Sequence, residues 1–277
     1  MKDVPFVARV LVTLLKLLLF GIVFSLISGI LILPFVIFGE KSIESIDPLI
    51  SVYAQLIATL ITIFIFYRFN KKKMTDLGFS LRGHVKEFWT GSGIAIVIML
   101  ISFGILLLFK QIGAEANAFD VGAFLSALVL FIGVAVFEEV LCRGYILGTL
   151  MDSMNKYAAL IISSAIFALM HLPNNHIAPL PVFNLFLAGI LLGSAYIYTR
   201  NLWFPIGMHL FWNFTQGTLL GFNVSGQEIY SILRLEYPEN NFFNGGAFGL
   251  EGSFLISAFS IAAIVLVLRH YKSISQE

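Results

Sequence analysis

Six polar side chains sit where a very apolar sequence has least use for them. Glu138, Glu139 and Arg143 interrupt a run that is otherwise apolar from Phe124 to Met151; His171 ends the run Tyr157–His171, and His209 and Asn213 lie within Trp203–Leu220. An ionisable group at the middle of a spanning helix costs about 2.5–3.5 kcal/mol on insertion scales, so such groups pair with one another or line a cavity. Glu139 and Arg143 are four apart, which stacks them on one helix face as an ion pair. Glu138 points about 100° around the helix from Glu139 and lacks that partner. A carboxylate in desolvated surroundings, beside a like charge and without a counter-charge, is a candidate general base. His209 and Asn213, also four apart, can aim two hydrogen-bond donors at one point, as an oxyanion requires.

Counting along the helices places these groups in depth. Glu138 is fourteen residues from Asp152 and His171 fifteen from Lys156, about 21 and 22 Å at the helical rise. One short turn joins the two runs, so they are antiparallel neighbours and the two residues should meet at one level. From Arg200, His209 is about 13 Å deep and Asn213 about 20 Å, which leaves His209 shallower than the Glu138–His171 pair. Pro173 stops the short fifth run, and the proline-rich Asn174–Pro181 follows. Irregular backbone at membrane depth is tolerated where it lines a cavity, so His171 is expected to face one.

The elements that carry these residues belong to a membrane. Of 277 residues, 58% are hydrophobic and 12% charged, against about 25% charged in a soluble domain. A net charge of +1 and a single cysteine, Cys142, exclude a nucleic-acid binder and a CxxC metal or redox site. Eight apolar runs approach the roughly 20 residues a helix needs to span: Val10–Phe38, Pro48–Tyr67, Phe88–Phe109, Phe124–Met151, Tyr157–His171, Leu180–Tyr198, Trp203–Leu220 and Phe254–Leu268. The predicted fold is an all-α polytopic bundle. With eight spans, twelve Lys and Arg fall on the face shared by both termini and three (Lys41, Lys110, Arg234) on the other, which makes the first face cytoplasmic. Lys16 snorkels to that face. The chain reads as one transmembrane domain over 1–277. Its parts are motif-free helices in 1–123, a core in 124–220, and an external loop and last helix in 221–277. The basic loop Asn70–Glu87 reads as a topology anchor, and Asn223–Ser253 as a loop that caps the bundle.

In order, Glu138-Glu139-x-x-x-Arg143, Phe167-x-x-x-His171 and His209-x-x-x-Asn213 resemble the signature of the CPBP (CAAX protease and bacteriocin-processing; Abi or Rce1-like) family of intramembrane endopeptidases. The resemblance implies that Glu138 and His171 activate a water, that His209 and Asn213 form an oxyanion hole, and that Glu139 and Arg143 support the site. It implies a peptide or membrane-protein substrate in the bilayer, lipidated in the prenyl-processing members, and a plasma-membrane location in a bacterial or archaeal host. Cys142 stands where relatives often carry Phe.

Two chemistries remain open at this point. Zn²⁺ held by Glu138, His171 and His209 would leave an open fourth position, whereas a glutamate-activated water needs no metal; the metal-free route is preferred, since no HExxH is present. A Cys142 nucleophile and a serine site at Gly91-Ser92-Gly93 are disfavoured, the first as a buried thiol and the second for want of a partner. A non-catalytic peptide-binding immunity or scaffold protein and a proton- or ion-coupled transporter are the alternative functions. The oligomeric state is not encoded in these motifs.

Overall fold

The computed structural model describes residues 5–39 and 46–275, so Lys2 and Lys41 of the charge count lie outside the described residues. All eight apolar runs form helices: α1 (Phe6–Gly39), α2 (Pro48–Asn70), α3 (Val85–Leu108), α4 (Val121–Glu139), α5 (Gly148–Met151), α6 (Lys156–Met170), α7 (Pro179–Thr199), α8 (Trp203–Phe214) and α9 (Phe254–Ile274). Helices α4 and α5 are one 31-residue rod, joined by π-helical turns over Val140–Leu147, and a second π-helical segment, Thr215–Leu219, extends α8. Among the described residues, six helices are long and apolar enough to cross a membrane by themselves; α6, with 15 residues, is shorter. The chain is an all-α multi-pass membrane bundle.

Its layers follow from where small residues permit close approach. A side chain at Gly91 would meet the Phe204 carbonyl at 2.3 Å, and one at Gly207 the Phe88 carbonyl at 2.3 Å. The backbones of α3 and α8 therefore touch, the small-residue packing that apolar helices use where lipid offers no hydrophobic drive to associate. Gly91 and Ser92 thus serve packing: Ser92 is buried and its hydroxyl donates to the Phe88 carbonyl at 2.7 Å, whereas Gly93 faces open space. Gly189 and Gly193 do the same for α7 against Ser164 and Leu160 of α6. Helix α7 is the central element, with 67% of its span buried, while α1 is outermost with 11%. The leucines and isoleucines that α1 leaves exposed face lipid.

One end of the bundle is basic. Lys16 donates to the Asn70 side chain at 2.8 Å, and Lys72 and Arg200 both approach Asp152. At the other end, β1 (Gly113–Ala116) pairs antiparallel with β2 (Leu233–Glu236), Gly113 opposite Glu236. The 221–253 loop closes this end: Ser225 donates from its amide and its hydroxyl to Glu251, and Asn184 of α7 donates to the carbonyls of Glu251 and Ser253. The cap expected from sequence is thus a hydrogen-bonded lid with a small β-ribbon in it.

Candidate active site

Glu138 and Glu139 stand at the junction of α4 with the π-helical turns, a kind of insertion that often marks functional positions. Glu139 is fully buried, and its Oε1 accepts from Arg143 Nη1 at 2.8 Å, the expected i,i+4 pair. The same oxygen also accepts from His209 Nδ1 at 2.7 Å. A charged pair in the interior is tolerable only when its remaining donors are engaged. Here Arg143 Nη2 donates to the Gly189 carbonyl at 3.2 Å, and its guanidinium lies 4.6 Å from the centre of the Phe167 ring. Phe167 also orients a histidine, since its carbonyl accepts from His171 Nδ1 at 2.8 Å.

These contacts fix which nitrogen of each imidazole meets the cavity. A carbonyl only accepts, so His171 carries its Nδ1 proton toward Phe167 and turns Nε2 the other way. Glu139, which already accepts from Arg143, likewise takes the Nδ1 proton of His209. Both Nε2 atoms converge on Glu138 Oε2, at 3.7 Å from His171 and 4.0 Å from His209. Glu138 Oε2 is buried and has no hydrogen-bond partner among the described residues. An unsatisfied buried oxygen facing two imidazoles just beyond direct hydrogen-bonding range is spaced for a bridging water.

His171 reaches this point because α6 stops there. It is the C-cap residue of α6, and Pro173, with no N–H to extend the ladder, ends the helix. Asn174 then donates to the Ser225 carbonyl at 3.2 Å, tying the polar turn to the lid. Asn213, one turn beyond His209 on α8, is 5% exposed and faces the same cavity. The cavity has a volume of about 430 Å³ and is walled largely by apolar residues of α2, α4, α7 and α8; Glu138, His171, His209 and Asn213 line it together with polar groups of the lid such as Ser225, Glu228 and Glu251.

The expected depth of His209 needs correction. The His209 ring lies 2.7 Å from Glu139 Oε1 and 4.0 Å from Glu138 Oε2, so it reaches the level of the Glu138–His171 pair. The start of α8 is held by the turn after Asn70: Leu202 N–H donates to Gly78, the Asn201 side chain to Ser80 and the Trp203 indole to Phe79. Gly78 has φ +98°, and a side chain there would meet the Arg200 carbonyl at 2.4 Å. The basic loop thus sets the height of α8 as well as carrying charge.

The Glu139–His209 contact and the packing of Phe167 on Arg143 were missed by sequence reasoning, although Phe167 was marked by its spacing from His171. Cys142 is 1% exposed and does not line the cavity. No curated protein matches the chain, and no solved structure does. Residues 120–215, the stretch from the N-cap of α4 to the end of α8, match the family model described as Type II CAAX prenyl endopeptidase Rce1-like, so this segment, with every motif residue in it, is Rce1-like.

Proposed function

We propose that the chain is an intramembrane endopeptidase in which Glu138, with His171, activates a water against a peptide carbonyl. The observation that carries this reading is the unsatisfied Glu138 Oε2 set between two imidazole Nε2 atoms inside an apolar cavity. A water held there gives its proton to Glu138 as its oxygen attacks. His171 Nε2, with Nδ1 committed to Phe167, accepts the water's second hydrogen bond and orients it. Negative charge then develops on the former carbonyl oxygen, where the Asn213 amide and His209 Nε2 supply donors. For His209 to donate from Nε2 its ring must carry both protons, and Glu139 is the counter-charge for that form. Protonated Glu138 finally delivers its proton to the leaving amine.

The proposed reaction uses no metal. Tetrahedral zinc with bonds of about 2.0–2.2 Å sets neighbouring donors about 3.3–3.6 Å apart; Glu138 with His171 and His209, at 3.7 and 4.0 Å, would have to close in to hold it, and chelation tests that alternative. Among the described residues, no three His, Cys, Asp or Glu are spaced as metal ligands. The substrate proposed is a peptide or membrane-protein segment within the bilayer, and the basic end of the bundle is assigned to the cytoplasm. Two experiments test this reading. Membrane peptides should accumulate uncut in cells carrying Glu138→Ala, and sequencing the ends produced by the wild type identifies the cut. Purified protein should keep its activity under strong chelation. Unchanged peptide processing in Glu138→Ala cells refutes catalysis and favours a peptide-binding role, whereas loss of ion flux favours transport.

A further inference from the structure

A second cavity, of about 230 Å³, lies at the basic end of the bundle and shares no lining residue with the first. Its walls are α1, the end of α2 with the turn after it, and the π-helical turns with α5. Lys16 and Lys72 both line it. Lys16 gives one of its three donors to Asn70 at 2.8 Å and Lys72 gives one to Asp152, so each ammonium keeps N–H groups to spare. Asp152 is the one carboxylate among the lining residues described, and Arg200 also approaches it, at 3.7 Å. Positive charge therefore exceeds negative charge around this space.

The hydroxyls are an independent observation. Tyr67 and Tyr145 line the cavity and are more than nine-tenths buried, yet neither phenol has a hydrogen-bond partner among the described residues. The hydroxyls of Thr13 and Thr149, which also line it, have none either. Buried polar groups are as a rule hydrogen-bonded, so these four are completed by what fills the cavity. The rings are held in place: Tyr145 stacks on Phe20 of α1 with centroids 3.9 Å apart, and the Lys72 ammonium lies 5.7 Å from the centre of the Tyr67 ring. The Tyr67 and Tyr145 centroids are 6.2 Å apart. Two ammoniums and four hydroxyls around one small space, with Asn70 and Asp152 already engaged, suit an anion with several oxygens. Phosphate has them, whereas a carboxylate, with two oxygens, leaves more of the donors unmet.

We propose that this cavity binds a phosphate group, supplied by the headgroup of an anionic phospholipid or by free phosphate. One of its walls is α1, the outermost helix, so lipid headgroups stand beside it, and lysines at that level attract the anionic ones. A choline headgroup brings its own cation to the phosphate and competes with Lys16 and Lys72. An occupant held by Thr13 and Lys16 on α1, Tyr67 on α2 and Tyr145 in the π-helical turns ties these three elements together. Binding should therefore stabilise the bundle.

The test uses purified full-length protein, stripped of lipid in mild detergent, with phosphatidylglycerol and inorganic phosphate as probes and phosphatidylcholine for comparison. Native mass spectrometry reads lipid binding, and the thermal unfolding midpoint reads both probes. Phosphatidylglycerol should bind at least tenfold more tightly than phosphatidylcholine and raise the midpoint. If millimolar inorganic phosphate also raises the midpoint and displaces the lipid, the site takes free phosphate; if it does neither, the ligand is the lipid. Lys16→Met should weaken binding at least fivefold. So should Tyr67→Phe combined with Tyr145→Phe, which removes two hydroxyls and keeps both rings, with midpoints in the absence of probe recording that each variant folds. Lys71→Gln removes an exposed charge outside the cavity and should leave binding within twofold. Loss of binding in Lys71→Gln as large as in Lys16→Met overturns the proposal, because the attraction is then to the basic surface at large. Binding that the paired Tyr variant leaves unchanged overturns it too, as does equal binding of the two lipids with no effect of phosphate. If neither probe binds, the cavity holds only water and the proposal fails.

Discussion

Glu139→Gln separates the support of the site from its chemistry. The change keeps shape and removes one charge from a carboxylate that is fully buried and serves both Arg143 at 2.8 Å and His209 at 2.7 Å. Breaking a buried ion pair by neutralising one partner leaves the other charge stranded and costs about 3–5 kcal/mol. Arg143 keeps the Gly189 carbonyl and the Phe167 ring, which offset part of that, so the lower end, about 3 kcal/mol, is expected. Arg143→Met on top of Glu139→Gln removes the stranded charge and should restore most of the loss, because the uncompensated buried charge is what makes breaking such a pair costly. Activity should not return with stability. In both variants His209 lacks its carboxylate, and cleavage should stay about 10²–10³-fold low, the effect of losing one oxyanion donor. Denaturant titration in detergent and initial rates on one cleaved peptide read the two quantities separately. A double variant that regains full activity would refute the assignment of Glu139 to His209, and a stable single variant would refute the energetics.

Two further outcomes follow from the geometry. Asn213→Ala should lower kcat about 10²–10³-fold with KM little changed, since the amide acts on charge present only in the transition state; steady-state kinetics checks this. Gly207→Val should destabilise the bundle by about 1–3 kcal/mol and lower activity, because the new side chain meets the Phe88 carbonyl at 2.3 Å and must push α8, with His209, off α3; a matched denaturation and rate measurement tests it.

Contacts within one helix, and the level of residues on two helices joined by a short turn, were legible from spacing alone. Glu139 and Arg143 pair as an i,i+4 count requires, and Glu138 and His171 come level because α5 and α6 turn on four residues, Asp152–Asn155. All eight apolar runs became helices for the same local reason: long apolar stretches in lipid satisfy their backbone only within themselves. What spacing did not reveal is set by packing between helices distant in the chain. The height of α8 depends on Gly78 meeting Arg200 and on Gly91 meeting Phe204, contacts spanning over a hundred residues. The Glu139–His209 bond depends on that height, so it was hidden too. The β-ribbon and the Ser225–Glu251 tie lie in polar segments without periodicity, where sequence carries little signal.

The central claim is that Glu138 is the base of a hydrolytic site. Its most direct test compares purified wild-type protein with Glu138→Gln on one peptide that the wild type cuts, with denaturation midpoints recorded alongside. Because Glu138 Oε2 has no hydrogen-bond partner to lose among the described residues, the variant should fold as well as the wild type and cleave at least 10³-fold more slowly, within the range of about 10²–10⁴ for loss of a general base. A well-folded Glu138→Gln protein that cuts the peptide at the wild-type rate would contradict it.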